Sequence, residues 1–140
     1  MSRSHLRPWF MLRAIPGVGD ALLLRLVQSL GTPESVLNAT STTLEQIGCR
    51  PPLVEAIHRG PDAAAVRQLE QELAQLDRRQ VAVLTYLDPT YPAPLRTISD
   101  PPPLLYLQGT LLEDDRQAGA IVGTRKVSAV GRALARGVGV

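Results

Sequence analysis

The chain has 140 residues, of which 44% are hydrophobic and 20% charged, and this balance is typical of a folded globular protein rather than a disordered one. No apolar run reaches the roughly 18 residues that a membrane span requires, and the N-terminus lacks a secretory signal, so we expect a cytoplasmic protein with no membrane partner. The net charge of +2 is uneven, because residues 116–140 carry five basic side chains and no acid. We expect an anionic partner to meet that segment.

Residues 7–79 are predicted to be helical. Apolar residues between Leu22 and Leu30 recur at spacings of three and four, which predicts a helix that Gly31 ends. Short helical segments follow at 33–37, 42–47 and 52–59. Asp62 is then the predicted N-cap of a longer helix, with a buried stripe and a solvent face. The stripe consists of Val66, Leu69, Leu73 and Leu76, and the solvent face of Arg67, Glu70, Glu72 and Asp77.

The stretch IPGVGDALLLRL, residues 15–26, carries a Gly-x-Gly turn that leads into an amphipathic helix. Such a turn resembles a helix-hairpin-helix element, whose glycines let backbone N–H groups approach a nucleic-acid phosphate. The same pattern also serves to pack two helices closely. Asp20 places a carboxylate where a phosphate would sit, so packing is the favoured interpretation.

Cysteine and histidine give no sign of a metal or disulfide site. The only cysteine, Cys49, cannot form an internal disulfide, and the two histidines do not have zinc-site spacing. We expect Cys49 to be a small buried apolar side chain, and we expect neither a metal nor a cofactor.

After residue 79 the pattern changes to short apolar runs typical of strands, at 81–86, 104–109 and 120–123. The proline-laden stretch 88–103 predicts no helix. A helix is expected from about Ser128, so that strand, glycine turn and helix open an α/β unit with a parallel sheet.

The turn after the third predicted strand is the second candidate site. Gly123 ends the strand, Thr124 supplies a hydroxyl, Arg125 a planar guanidinium, and the Ser128 helix start its N–H groups. Together these groups suit a phosphate. The loop lacks the glycines of a dinucleotide fingerprint and of a Walker A loop. A solvated turn with ordinary surface arginines is the structural alternative.

Three stretches in order resemble the bacterial DNA-processing family DprA, also called Smf. They are LRAIPGVGDALLLRLVQSLG, then TYPAPLRTISDPPPLLYLQGTL, and finally IVGTRKVSAVGRALA. The resemblance implies a helical SAM-like or helix-hairpin-helix domain at 1–79, followed at 80–140 by the first strands and helix of an incomplete Rossmann-like sheet. The overall class is therefore α plus α/β.

The resemblance also implies a function. It implies single-stranded DNA binding and delivery of that DNA to the RecA recombinase in natural transformation, without enzymatic activity. The phosphate-holding residues that it implies are Gly123, Thr124, Arg125, Lys126, Ser128 and Gly131.

The chain departs from the family pattern at two points. Val130 stands where the family usually has a tyrosine. The sequence also stops about one helix into the Rossmann-like part, so we expect a fragment in which DNA binding, the RecA contact and a homodimer interface are impaired.

Two other functions remain open from the residues. One is a Rossmann-like enzyme that holds a nucleotide phosphate, although acids such as Asp88 and Asp100 form no recognisable catalytic pair. The other is an inert remnant, or a helical interaction module that uses only residues 1–79.

Overall fold

The computed structural model describes residues 4–112, 122 and 125–138, which fall into two units, Met1–Thr110 and Leu111–Val140. Within these residues the fold combines α-helices with a two-stranded sheet, which confirms the mixed class in this coarse form. In the first unit the elements are α1 Arg7–Arg13, α2 Asp20–Leu30, α3 Pro33–Leu37, α4 Ser41–Gln46, α5 Pro51–Arg59, α6 Ala63–Arg78, β1 Ala82–Thr85, α7 Ala93–Arg96 and β2 Leu104–Leu107. The second unit contains α8, Ala129–Val138.

The helix ends follow the predicted capping chemistry. The Asp62 carboxylate accepts a hydrogen bond from the Ala65 N–H at 2.7 Å, which confirms it as the N-cap of α6. Thr32 and Thr40 cap α3 and α4 in the same way. Gly31 ends α2 with a φ of +90°, a conformation that side chains with a Cβ rarely adopt.

The core of the first unit contains side chains from each of the helices α1 to α6 and from both strands. The buried core side chains of α1 and α2 are Trp9, Phe10, Leu12, Leu23, Leu26 and Val27. On α6, Leu69 and Leu76 are buried as predicted, whereas Val66 and Leu73 are half-buried. Cys49 is also buried, as expected, and burial raises the pKa of its thiol.

The two strands pair antiparallel, with Val83 opposite Tyr106 and Thr85 opposite Leu104. This differs from the parallel arrangement expected from the sequence. A parallel pair needs a crossover, usually a helix that packs back across the sheet, and the connection between β1 and β2 contains only the four-residue α7. Of the predicted third strand, 120–123, only Val122 is described.

The connection between the strands is ordered by Arg96, which lies over two tyrosine rings. Its guanidinium carbon is 5.0 Å from the ring centroid of Tyr86 and 5.1 Å from that of Tyr91. The Tyr91 hydroxyl donates to the Pro102 carbonyl oxygen at 2.9 Å. The expectation of no helix in this stretch was wrong, because α7 has Pro94 within its first turn, where the missing N–H costs no hydrogen bond.

Arg13 joins the helices to the hairpin. Its Nη2 donates to both carboxylate oxygens of Glu72, at 2.9 and 3.0 Å, and its Nη1 donates to the Tyr106 hydroxyl at 2.7 Å. The Tyr106 hydroxyl in turn donates to Glu72 Oε1 at 2.8 Å. Glu72 was predicted to face solvent, but it is half-buried. The reason is its contacts with Arg13 and Tyr106, which lie far from it in the sequence.

Val83 and Leu104 of the hairpin belong to the same hydrophobic core as the helices. The domain boundary between residues 79 and 80 stays a prediction. No helix in the described ranges is both long and apolar enough to cross a membrane.

Candidate nucleic-acid interface

The predicted phosphate loop lies just before α8. Gly123 and Thr124 are outside the described residues. Arg125 and Lys126 are described, and both are exposed in a bend three to four residues ahead of the first helical residue, Ala129. They place two positive charges just before the helix.

Ser128 is the N-cap of α8. Its hydroxyl oxygen accepts a hydrogen bond from the Gly131 N–H at 3.1 Å, and its carbonyl oxygen accepts from the Arg132 N–H at 3.0 Å. The helix start near Ser128 is therefore confirmed. The cap provides an acceptor for one N–H group of the first turn, that of Gly131. The N–H groups of Ala129 and Val130 have no acceptor within the helix.

Gly131 has a steric role in this cap. A Cβ at this position would lie 3.2 Å from Val127 Cγ2 and 3.3 Å from Ser128 Oγ, which is tighter than most real contacts of a Cβ atom. The glycine thus leaves room for the Ser128 hydroxyl above the first turn. Gly131 and Ser128 therefore shape the backbone at the helix start, whereas Arg125 and Lys126 carry the positive charge.

The helix itself extends the positive surface. Arg132 and Arg136 are four residues apart, so they lie one turn apart on one side of α8, and both are exposed. The sequence analysis counted them in the basic segment but did not place them in the site. Their spacing of four within a predicted helix is the signal that could have found them.

The opposite side of α8 is apolar. Val130, Leu134 and Val138 also recur at spacings of four, and they are exposed within the described residues. The positive side and the apolar side are therefore separated around the helix, as in an amphipathic helix. An anion is expected to meet the side with the arginines.

All charged side chains of this segment are positive. Residues 125–138 contain Arg125, Lys126, Arg132 and Arg136 and no acidic residue. The positive end of the helix dipole adds to the charge of Arg125 and Lys126 at the helix start. Among the described residues, no group of three or more potential metal ligands is present.

Comparison with known proteins bears on this same part of the chain. Residues 82–139 match the model of one family, described as DNA recombination-mediator protein A. No significant match was found among curated proteins or among solved structures. The matched range contains the whole candidate interface and the hairpin, and the match confirms the resemblance stated from the sequence. Residues 82–139 of the chain are therefore similar to the family of DNA recombination-mediator protein A.

Proposed function

We propose that the chain binds single-stranded DNA through the basic segment that begins at Arg125, and that it serves DNA recombination as a binding protein rather than an enzyme. The observation that carries this proposal is the Ser128-capped start of α8, with the exposed cations Arg125 and Lys126 directly before it. The family match covers this segment and supports a role in DNA recombination.

The chemistry suits a phosphodiester. Arg125 presents a planar fork of donors to two phosphate oxygens, Lys126 adds a point charge, and the helix start adds N–H groups. The predicted contributions of Gly123 and Thr124 would complete the loop. Arg132 and Arg136 continue the positive charge along the helix, where they would be available to further phosphates of the strand.

The finer family properties form part of the same proposal. The helical part would be a SAM-like or helix-hairpin-helix domain, and the part after residue 79 would begin a Rossmann-like sheet. DNA held by this protein would be handed to RecA in the cytoplasm during natural transformation. A homodimer and the RecA contact belong to the same proposal.

The absence of enzymatic activity is also proposed, and the use of Asp88 supports it. The Asp88 carboxylate accepts a hydrogen bond from the Thr85 N–H, and its carbonyl oxygen accepts one from Arg96. This acid is thus committed to the turn that follows β1. Within the described ranges it pairs with no second carboxylate or histidine that could share acid–base catalysis.

The test is fluorescence anisotropy of a labelled oligothymidylate with the 140-residue chain at two salt concentrations. We expect weak binding that falls steeply with salt, because phosphate contacts release counterions. Arg125→Ala should cost about 1–3 kcal/mol of binding free energy, and Arg125→Lys part of that, because lysine lacks the fork. A labelled mixed-sequence oligonucleotide should bind about equally well.

Arg67→Ala is the matched control, because Arg67 is an exposed arginine on α6 in the first unit. It should leave the affinity unchanged. Equal affinities for wild type and Arg125→Ala would remove Arg125 from the site. Displacement of the oligonucleotide by a mononucleotide at similar concentration would favour the nucleotide-binding alternative.

A further inference from the structure

The first unit contains an open groove between the turn that precedes α2 and the start of α5. Its volume is about 460 Å³, within the range of pockets that hold a small ligand or a few side chains. Pro16, Leu22, Pro52 and Leu53 contribute apolar side chains to its lining, and Arg25 and Arg50 also line it. The groove is therefore mainly apolar and carries two positive side chains.

The groove is held open by well-packed neighbours. Ile15 and Val18, on either side of the turn, are 2% and 4% exposed and belong to the hydrophobic core. Gly17 between them has a φ of +90°, and a Cβ there would lie 3.7 Å from Leu53 Cδ1 on α5. The Leu53 side chain of α5 thus lies beside the turn. A groove that exists before binding requires little ordering when a ligand arrives.

Arg25 and Arg50 are both exposed. Within the part of the chain that the structure describes, their guanidinium groups form no hydrogen bond or ion pair. Arg7 and Arg13 of the same unit, by contrast, pair with Glu70 and Glu72. Two unpaired guanidinium groups beside an apolar surface are available for carboxylates, which they bind in a bidentate manner.

A nucleic-acid backbone is the less suitable occupant. Phosphate binding at such a turn depends on unpaired N–H groups at a helix start. At the start of α5, Pro51 and Pro52 have no N–H, and the Leu53 N–H donates to the Arg50 carbonyl oxygen at 2.9 Å. The start of α2 has no side-chain cap, but the groove beside it is lined mainly by apolar side chains, which suit an apolar anchor better than a phosphate.

We propose that this groove docks an acidic segment of a partner protein. A bulky apolar side chain of the partner would enter between Leu22, Pro52 and Leu53. Carboxylates on either side of that anchor would pair with Arg25 and Arg50. The apolar anchor would supply most of the affinity, and the charges would select acidic sequences and orient the segment. This interaction is independent of the DNA contact before α8.

The first experiment selects peptides from a random library on the immobilised 140-residue chain. We expect the enriched sequences to share a large apolar residue flanked by aspartate or glutamate. The second experiment uses a fluorescein-labelled probe, Gly-Asp-Asp-Leu-Phe-Asp-Asp-Gly, and measures its anisotropy with each protein variant. Arg25→Glu together with Arg50→Glu should weaken probe binding at least about tenfold, since both carboxylate partners become repulsive.

Arg67→Glu is the matched control for charge, and it should leave probe binding unchanged. A second peptide, with glycine in place of Leu-Phe, tests the anchor and should not bind. Circular dichroism confirms that each variant keeps its helices, which we expect because the substituted arginines are exposed. The proposal is overturned if the anchorless peptide binds equally well, if Arg67→Glu weakens the probe as much, or if no acidic-apolar sequence is enriched. It is also overturned if an oligothymidylate displaces the probe and loses affinity with Arg25→Glu, which would make the groove a nucleic-acid site.

Discussion

The Gly-x-Gly turn before α2 allows a sharp test, because its two glycines have different surroundings. Gly17 has a φ of +90°, whereas Gly19 is the N-cap of α2 with a φ of −85°. A serine at position 17 must adopt a conformation that costs L-residues roughly 1–2 kcal/mol. A serine at position 19 finds no atom within 4 Å of its Cβ and can cap the helix.

Gly17→Ser should therefore lower the free energy of unfolding by about 1–2 kcal/mol. For a domain near 100 residues, each kcal/mol corresponds to about 4–8 °C in Tm. Gly19→Ser, the same chemical change two residues away, should leave stability unchanged or raise it by a few tenths of a kcal/mol. The space beside Gly17 is sufficient, with Leu53 Cδ1 at 3.7 Å, so the cost arises from the backbone conformation rather than from a clash.

The assay is urea unfolding of the 140-residue chain, followed by circular dichroism, for wild type and both variants. The oligothymidylate affinity is measured on the same samples. Equal losses of stability for Gly17→Ser and Gly19→Ser would refute the conformational argument. If Gly17→Ser kept its stability but lost DNA affinity, the turn would act in DNA contact and the packing interpretation would be wrong.

Two further predictions concern titratable side chains. Cys49 is 4% exposed, and burial raises the pKa of its thiol. A thiol-specific chromogenic reagent should therefore react with Cys49 only in proportion to unfolding. A prompt reaction in the folded chain would contradict its place in the core. Burial also raises the pKa of Tyr91 and of Tyr106, so the stability that depends on their neutral forms should be complete below pH 10 and decline at higher pH. Tyr106→Phe should make that alkaline decline shallower in unfolding curves measured from pH 8 to 11, and an unchanged decline would exclude Tyr106 as a contributor.

Much of the helical part was predictable because its signals are local. The Asp62 cap, the glycine that ends α2 and the apolar stripe of α2 each depend on residues a few positions apart. The start of α8 at Ser128 was predictable for the same reason, since a serine cap is followed by a helical pattern.

The errors arose where the outcome depends on distant residues. Glu72 faces inward because Arg13, 59 residues earlier, and Tyr106, 34 residues later, both donate to it. Whether the two strands pair parallel or antiparallel depends on the path of residues 86–103 between them. An apolar run of a few residues predicts a strand but not this path.

The candidate interface was predictable in part. The sequence located the exposed cations Arg125 and Lys126 and the helix that follows them. It did not separate residues that supply charge from residues that shape the backbone, because the role of Gly131 depends on a distance of 3.2 Å to the Val127 side chain. The groove that Arg25 and Arg50 line was also missed, since these residues are far apart in the sequence and line one groove only in the folded chain.

The hydrogen bonds among Arg13, Glu72 and Tyr106 also bear on how the chain folds as it is synthesised. Arg13 and Glu72 both leave the ribosome before the hairpin does, so their ion pair can form while β2 is still untranslated. Tyr106 follows Glu72 by 34 residues, which takes roughly 2–7 s at about 5–20 residues per second. During that interval Glu72 can accept hydrogen bonds from Arg13 but not yet from Tyr106. The three-residue network is completed only after β2 has been synthesised.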